Sequence, residues 1–426
     1  MHQGDRSHEE KGRILLITSV FPRWAGDSIP AFVLHFAQRL KRIGWDVDVL
    51  APHAPEAATS EWLDGVRVDR FRYLWPASQE TVCYGEGPRV KLRSNRTELA
   101  KLPALLAAEW LAAARRAHRG YDLVSSHWIL PQGLIAGLLP GGVPNVVTVH
   151  GGDVFGLRGR PLTAAKRFAL RRAAAVTCNS SVTERAVHEI APNARTTRIP
   201  MGVDPSDTPD PEHVAALRGR YRAGDGPLLA FVGRVADEKG ITDFVVAVAR
   251  LAQRLPDVRA LIVGDGPDRA AAEQLALDLG IADHTYFVGW VEPARVPSYL
   301  AAADVFVAPS RRGADGWIEG QGLSIIEAMM AGVPVVATAC GGIVETIDDG
   351  DTGLLVPERA PELIAAAVDR LVEDDLLRTS IVEKAQRSAR DRFSSNATTH
   401  AFDELFRDVI ARRPSSRSRV SAARRA

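Results

Sequence analysis

The chain has 426 residues, of which 46% are hydrophobic and 25% are charged, and its formal net charge is +1. This charge balance offers no overall attraction to nucleic acid, and no apolar run approaches the roughly 18 to 20 residues that span a bilayer. The length exceeds what one hydrophobic core usually serves, so we expect two domains.

The cysteines and the N-terminus indicate a compartment. Cys83, Cys178 and Cys340 are far apart in the sequence, and the polar start MHQGDRSHEEKGR lacks the apolar stretch of a signal peptide. We therefore expect the protein to be located in the reducing cytoplasm.

The chain opens with a β-α-β pattern. Residues 13–20 (RILLITSV) have the continuous apolar character of a buried parallel strand, residues 31–42 carry apolar side chains at helical spacing, and WDVDVLAP is a second strand. Gly26 lies between the first strand and the helix, either in a plain surface turn or where the backbone approaches a phosphate. The G-x-G-x-x-G fingerprint is absent from this turn, which argues against a Rossmann dehydrogenase.

A basic segment follows at residues 89–119. It carries eight Lys or Arg against Glu98 and Glu109, interleaved with leucines and Trp110; the cations are Arg89, Lys91, Arg93, Arg96, Lys101, Arg115, Arg116 and Arg119. Two interpretations stay open: a solvated amphipathic surface helix, or a face that meets anionic lipid or an anionic acceptor.

Two strand-like segments, YDLVSSHW and VPNVVTVH, lead to His127 and His150. Ligands of open α/β sheets bind beyond the carboxyl ends of the strands, so both histidines are candidates for a site, although a histidine at a strand end is by default structural. A further strand and a capped helix follow in AAAVTCNSSVTERAV.

A linker and a second α/β half come next. The polar, proline-rich DPSDTPDPEH predicts a boundary near residue 205, with an N-terminal domain at 11–205 and a C-terminal domain at 206–395. Strand patterns recur in PLLAFVG, RALIVGDG, TYFVGW, VFVAPS, PVVAT and GLLVP, with helical patterns between them, so both halves are expected to be doubly wound. The arginine-rich end, 413–426, is expected to be disordered.

The stretch WIEGQGLSIIEAMMAGVP, from Trp317 to Pro334, concentrates the candidate chemistry. A helix is expected over the apolar run that starts at Leu323, because glycines precede it and Gly332 and Pro334 end it. Its first N–H groups, at Gly322, Leu323 and Ser324, would favour an anion such as a diphosphate. The carboxylates of Glu319 and Glu327 could then accept hydrogen bonds from hydroxyls on either side of it.

Arg234 and Lys239 flank a loop after a strand in FVGRVADEKG. Two cations at this position could neutralise a diphosphate, although isolated loop cations are usually solvated.

The two glutamates with seven residues between them, the following AMMAGVPVVAT and GG, and the G-R-x4-K pattern resemble the signature of retaining family 4 glycosyltransferases of the GT-B fold. The resemblance implies an α/β protein with two Rossmann-like, doubly wound domains facing an interdomain cleft, the first on the acceptor side and the second on the donor side. It also implies that residues 396–412 form a helix crossing back to the first domain. The family often has two or three glycines where this chain has Gly26, which leaves the role of Gly26 open.

The resemblance also implies roles for the site residues. Arg234 and Lys239 would stabilise the leaving diphosphate without a metal or other cofactor, Glu319 would hold the sugar hydroxyls, and Glu327 the ribose hydroxyls. The H-G-G-D sequence from His150 to Asp153 matches the position whose histidine approaches the donor sugar, with Asp153 and His127 as acceptor-side candidates.

The donor and acceptor are less defined. Val291 and Glu292 follow a strand on the side where the family seats its base, and a carboxylate there suits the N–H groups of guanine, which gives a modest preference for GDP over UDP. The acceptor would be a hydroxyl of a glycan, a lipid-linked acceptor or a small molecule. Membrane contact through 89–119, at the inner face of the membrane, remains an alternative to a freely cytoplasmic protein.

Two tempting patterns are set aside. Asp349-Gly350-Asp351 spells the D-x-D of metal-binding glycosyltransferases, but it precedes a strand in a glycine turn, so no metal site is expected there. GDGPDRA, from Gly264 to Ala270, lacks the third glycine of a nucleotide fingerprint.

Competing functions remain on the same fold. A nucleotide-sugar epimerase, the alternative that we place second, would convert the donor without an acceptor. A pyridoxal-phosphate-dependent phosphorylase would show a cofactor absorbance band, and a non-catalytic module would bind sugar nucleotides without turnover.

Overall fold

The computed structural model describes residues 11–27, 29, 31–84, 95–204, 209–314 and 316–413. The chain forms two compact units. The first runs through Cys178, continues with Glu184–Ile199 and takes in the end of the chain from Thr399, whereas the second contains Asn179–Thr183 and Pro200–Thr398. The division therefore falls after Ile199, ahead of the boundary predicted near residue 205.

Each unit is built on one sheet of apolar strands. In the described part of the first unit the strands are β1 Gly12–Ile17, β2 Trp45–Pro52, β3 Ser60–Leu63, β4 Val66–Phe71, β5 Leu123–His127, β6 Asn145–Val149, β7 Ala175–Cys178 and β8 Thr196–Arg198. They pair in the order β3-β4-β2-β1-β5-β6-β7-β8, and every pairing is parallel except β3 with β4. Helices cover both faces, as a parallel sheet requires.

The helices of this part of the chain are α1 Phe32–Arg42, α2 Arg96–Ala117, α3 Leu134–Gly137, α4 Gly152–Phe155, α5 Arg160–Arg172 and α6 Ser181–Ile190. The first strand is buried on both sides: Ile14 and Leu16 pack with α1, and Leu15 and Ile17 pack with α2. This two-sided burial explains its uninterrupted apolar run.

The second unit has a six-stranded sheet in its described residues. Its strands are β9 Leu228–Val232, β10 Arg259–Val263, β11 Thr285–Gly289, β12 Val305–Ala308, β13 Val335–Thr338 and β14 Leu354–Val356. Its helices are α7 Pro211–Tyr221, α8 Ile241–Ala252, α9 Arg269–Asp278, α10 Val296–Ala302, α11 Leu323–Met330, α12 Ile343–Thr346, α13 Pro361–Glu373 and α14 Asp375–Phe393. All strands are parallel and lie in the order β11-β10-β9-β12-β13-β14. From β9 the chain adds strands first toward one edge of the sheet and then, starting with β12, toward the other edge, so the order of the strands reverses between β9 and β12. In such a sheet ligands bind beyond the carboxyl ends at that reversal.

The last helix, α15 Ser395–Ala411, contributes to the core of the first unit. Phe402 meets Phe36 with ring centroids 4.7 Å apart, and Phe406 meets Trp45 at 6.0 Å. Asp403 accepts a hydrogen bond of 2.8 Å from the Trp45 indole N–H. The aromatic contacts fix the end of the described chain to β2 and α1 of this unit.

Two of the cations on helix α2 form ion pairs with carboxylates. Lys101 pairs with Glu98, and Arg116 pairs with Asp69 of β4 at 2.9 Å. Glu109 is buried, and this burial raises its pKa to about 8. Glu98 is buried as well, so the helix turns both of its acidic side chains inward.

Three further cations of the basic segment, Arg89, Lys91 and Arg93, lie outside the described residues. In the part of the chain that is described, no helix combines the length and apolar character needed to cross a bilayer.

Candidate functional site

The second unit brings two predicted residues together at the reversal between β9 and β12. Lys239 ends a short 3₁₀ turn, Asp237–Lys239, after β9, and its Nζ lies 2.5 Å from Oε2 of Glu319. The ammonium also lies 5.0 Å from the centre of the Trp317 ring. Ser310, just after β12, donates a hydrogen bond of 3.3 Å to the same Glu319 oxygen.

The position of Glu319 depends on a close backbone approach. The N–H of Gly342 donates to the Glu319 carbonyl at 2.8 Å, and a Cβ at Gly342 would overlap the carbonyl oxygen of Gly320. The glycine pair at 341–342 is thus required for the chain around Glu319 to pack as it does.

The N-terminus of α11 faces the same place. Gly322 precedes the helix at a positive φ of 83°, and no side chain of the described residues caps the first N–H groups. A pocket beside this terminus has a lining drawn from the turn, the strand ends and the helix start; its residues are Phe231, Val232, Lys239, Val307, Ala308, Ser310, Glu319, Gly322, Ser324 and Ile325. Uncapped N–H groups and an ammonium in one pocket make it favourable for an anion.

Glu327 lies on α11 and is half-buried. Desolvation raises its pKa to about 7, and no hydrogen bond or ion pair reaches its carboxylate from the described residues. Leu323, the first residue of this helix, is 40% exposed.

The structure does not bring Arg234 into the pocket. Its side chain is half-exposed, and the nearest carboxylate oxygen, of Glu238, is 4.0 Å away. Lys239 therefore supplies the pocket's cation in this conformation.

The residues predicted to read the base follow the edge strand β11. Glu292 is exposed and precedes a 3₁₀ turn, Pro293–Arg295. Val291 packs against the small apolar cluster that contains Leu217 and Tyr221. Neither residue lines the pocket around Lys239.

The carboxylates of the D-x-D turn have partners in the turn or next to it. Asp349 accepts a hydrogen bond of 2.8 Å from the Leu355 N–H, and Asp351 pairs with Lys384 at 2.6 Å. No group of three or more potential metal ligands occurs among the described residues.

In the first unit, His127 is the last residue of β5 and His150 directly follows the adjacent strand β6, and the two lie together. Their rings are stacked with centroids 5.2 Å apart, and Nδ1 of His127 lies 3.0 Å from Nε2 of His150. Phe32 and Trp128 contact the His150 ring at 5.3 and 5.0 Å. Burial lowers the pKa of His150 to about 4 and that of His127 well below its usual value, so both imidazoles are neutral at pH 7.

The first unit also contains Asp153 and Gly26, two further predicted site residues. The Asp153 carboxylate accepts hydrogen bonds from the backbone N–H groups of Ile129, at 2.9 Å, and His150, at 3.1 Å. It thereby joins the segments that carry the two histidines. Gly26 lies in a turn after β1 with a φ of 77°, and a Cβ there would meet no atom within 4 Å.

Neither Ser310 nor Trp317 was predicted as a site residue, although their side chains contact Glu319 and Lys239. Ser310 follows the strand pattern VFVAP directly, so its position at a carboxyl strand end was a usable signal. No comparable signal marked Trp317, because its contact depends on how the loop after β12 returns to the Lys239 turn.

Two family models match the chain: Glycosyltransferase Family 4 over residues 30–207 and Glycosyl transferases group 1 over residues 217–388. A GDP-mannose-dependent alpha-(1-6)-phosphatidylinositol monomannoside mannosyltransferase of Mycobacterium tuberculosis is 32% identical over 378 residues, covering 85% of this chain and 89% of the relative. The 2-deoxystreptamine glucosyltransferase of Streptomyces kanamyceticus is 33% identical over 311 residues, covering 67% and 78%.

A solved structure is similar over nearly the whole chain. Sucrose-phosphate synthase from Thermosynechococcus elongatus has a TM-score of 0.77 and 25% identity, with 94% of this chain and 99% of that chain covered. WaaG, a glycosyltransferase involved in lipopolysaccharide biosynthesis, shares the fold with a TM-score of 0.64 at 17% identity. With two Rossmann-like units and these relatives, the chain belongs to the group 1, family 4 glycosyltransferases of the GT-B fold.

Proposed function

We propose that this glycosyltransferase moves a hexose from a nucleoside-diphosphate donor to a hydroxyl acceptor, with retention of anomeric configuration and without a metal. The observation that carries the proposal is the pocket of the second unit, in which the Lys239 ammonium and the uncapped N-terminus of α11 adjoin Glu319. A cation and oriented N–H groups suit a diphosphate, and the adjacent carboxylate suits sugar hydroxyls.

In this proposal Lys239 and the N–H groups of Leu323 and Ser324 hold the diphosphate. As the bond to the sugar breaks, negative charge grows on the departing oxygen, and a fixed ammonium stabilises it in the transition state. The Lys239–Glu319 ion pair opens when the donor binds, so that Lys239 meets phosphate and Glu319 meets sugar hydroxyls. Arg234 joins from its exposed position, because its side chain is free to turn toward the phosphates.

Glu327 accepts hydrogen bonds from the ribose, and its half-buried, unpartnered carboxylate supports this role. His150 contacts the transferred sugar as a neutral imidazole held by His127. The acceptor hydroxyl attacks on the face that the diphosphate leaves and gives its proton to the leaving phosphate oxygen. This retaining course needs no covalent carboxylate nucleophile.

The nucleotide is proposed to be GDP rather than UDP, by a modest preference. The exposed Glu292 beyond β11 offers a carboxylate to guanine N–H groups, and the relative in Mycobacterium tuberculosis is described as GDP-mannose-dependent. The named relatives are transferases, so an epimerase is not favoured.

A thermal-shift screen of nucleoside diphosphates tests the donor assignment. A ligand at 100 times its dissociation constant adds about 2.7 kcal/mol to the free energy of unfolding. We expect GDP to stabilise the protein more than UDP, and Glu292→Ala to remove that ranking. Stabilisation by UDP alone, or an unchanged ranking in the variant, would overturn the base assignment.

We also propose a cytoplasmic protein, and contact of the 89–119 segment with anionic membrane is the alternative to a freely cytoplasmic one. Trp110 and Leu111 are each 40% exposed on α2, and the exposed Arg115 follows on the same helix. Co-sedimentation with vesicles that contain about 30% anionic lipid checks this, since apolar and cationic groups act together in such contacts. Binding that Trp110→Ala with Arg115→Ala leaves unchanged would contradict it.

A further inference from the structure

The turn that carries Lys239 is held from the neighbouring strand end by one buried arginine. Arg311 lies just after β12 and is 8% exposed. Its Nε donates to the Asp237 carbonyl at 3.0 Å, its second terminal nitrogen pairs with the Asp237 carboxylate, and its backbone N–H donates to the Glu238 carbonyl at 2.9 Å. Three bonds from one residue thus reach the two residues that precede Lys239.

The same guanidinium is itself fixed from α8. Its remaining terminal nitrogen donates to both carboxylate oxygens of Asp243, at 3.1 and 3.0 Å, and Asp243 is buried. The planar guanidinium holds its contacts to Asp237 and to Asp243 in one fixed geometry, which a lysine ammonium could not reproduce. Arg311 therefore ties the Lys239 turn to the first turn of the helix that follows it.

Close packing leaves this turn little room to move. Gly240 has a φ of 72°, and a Cβ there would overlap the carbonyl oxygen of Pro309. On the other side, the Asp237 N–H donates to the Asp268 carboxylate at 2.5 Å. The turn is thus clamped between the segment after β10 and the segment after β12, with Arg311 making the polar contacts on the β12 side.

The β12 segment also contacts the partner of Lys239. Ser310, the neighbour of Arg311, donates to the Glu319 oxygen that Lys239 contacts. One three-residue segment, Pro309–Arg311, therefore sets the backbone that carries the ammonium and touches the carboxylate that receives it.

We propose that Arg311 is a positioning residue for diphosphate binding, which fixes the Lys239 ammonium through the Asp237–Lys239 turn without touching the donor. The inference rests on the proposed function, because it takes Lys239 to be the diphosphate ligand. A positioned cation binds a diphosphate better than a mobile one, since the cost of ordering its side chain is met before the ligand arrives.

The test is a double-mutant cycle on the full-length protein. Arg311→Lys keeps the charge and removes the fork, and Arg311→Met removes both; each is made in the wild-type and in the Lys239→Met background. Affinity is measured by calorimetry for the nucleoside diphosphate, GDP or UDP, that stabilises the protein, and for the matching nucleoside without phosphates. Thermal unfolding checks that each variant is folded at the titration temperature. If Arg311→Met is not folded, Arg311→Lys alone is used for the cycle.

Arg312→Met is the matched control, because Arg312 is the adjacent arginine and its side chain is exposed with no ion pair to the described residues. We expect Arg311→Lys to weaken diphosphate binding about tenfold, to leave nucleoside binding unchanged, and to add no further loss in the Lys239→Met background. Arg312→Met should match the wild type.

Three results overturn the inference alone. The first is an equal loss for nucleoside and diphosphate, and the second is the same loss from the Arg311 substitution in both backgrounds, since either marks a general structural effect. The third is a loss of affinity in Lys239→Met with no loss in Arg311→Lys or Arg311→Met. Wild-type diphosphate affinity in Lys239→Met instead overturns the diphosphate assignment in the proposed function, and this inference falls with it.

Discussion

The Lys239–Glu319 pair and the His127–His150 pair both lie at the carboxyl ends of adjacent parallel strands, but the first pair is charged and the second is neutral. Lys239 is partly exposed and ionic, with a carboxylate at 2.5 Å and an uncapped helix terminus beside it. The histidines are stacked among Phe32 and Trp128, and burial leaves them neutral. The carboxyl ends of adjacent strands therefore bring two polar side chains together in both units, whereas the surrounding side chains decide whether those two groups are charged.

The comparison predicts that charge at the second-unit site dominates turnover. Lys239→Met should lower kcat about a hundredfold or more, because removing one transition-state charge partner costs roughly that much. Lys384→Met is the control, since Lys384 is an exposed lysine that also pairs with a carboxylate, that of Asp351. Steady-state kinetics with the preferred donor measure kcat for both variants. A decrease in kcat of less than about fivefold in Lys239→Met would contradict a catalytic role for Lys239.

The two glutamates should separate in their effects. Glu327→Ala should weaken binding of the free nucleoside diphosphate about tenfold to a hundredfold, because hydrogen bonds to a charged group contribute about 1.5 to 3 kcal/mol. Glu319→Ala should leave that binding nearly intact and lower turnover with the complete sugar nucleotide. Titration of the free nucleotide against both variants measures this. Equal losses would contradict the division between ribose and sugar.

Nucleotide affinity should rise with pH through the pKa of Glu327, which burial raises to about 7. Below that pH the carboxyl group is protonated and loses an acceptor for ribose hydroxyls, so affinity should fall by up to about tenfold per pH unit. Glu327→Gln is the control, because a glutamine side chain does not titrate. The prediction concerns the difference between the pH profiles of nucleotide affinity in the wild type and in this variant. Parallel profiles from about pH 6 to 8 would contradict the ribose role.

The same shift has a consequence for stability. The folded-state pKa lies above the ordinary value of 4.5, so the folded protein retains a proton that the unfolded chain has released. Glu327 therefore makes the free energy of unfolding fall as pH rises from about 4.5 to about 7, a slope that Glu327→Gln should lack in urea titrations.

The histidine pair should affect turnover less, and nucleotide binding not at all. His150→Ala should lower kcat about fivefold to tenfold, because a hydrogen bond between neutral groups contributes about 1 to 1.5 kcal/mol. Free nucleoside diphosphate should bind with wild-type affinity. The pH profile of turnover should show no step from His150 between pH 6 and 8, since its pKa is about 4. A loss of nucleotide affinity as large as that of Glu327→Ala would end the contrast between the regions.

The smallest expected effect is that of chelation. Activity should be unchanged in excess EDTA, because in the proposal Lys239 and Arg234 neutralise the diphosphate charge that a metal would otherwise neutralise. Assays with EDTA and then with added manganese check this. Loss of activity that manganese restores would point back to Asp349 and Asp351.

The sequence alone determined the parts of the protein that depend on local pattern. Continuous apolar runs such as that of β1 predict parallel strands buried on both faces, and the helix after Gly322 follows from its apolar run and its glycine and proline boundaries. The spacing of Glu319, Glu327, Arg234 and Lys239, with the AMMAGVPVVAT run and the glycine pair after it, suggested the family, which relatives at 32% and 33% identity confirm.

Only the tertiary structure decided how these residues meet. It pairs Lys239 with Glu319 and leaves Arg234 exposed, although both cations flank the same loop, because the segment after β12 packs on the Lys239 side of that loop. It also turns Glu98 and Glu109 of α2 inward and stacks His127 on His150. Such contacts join residues 20 to 80 positions apart, so they depend on which strands are neighbours in the sheet, and local sequence pattern does not encode that order.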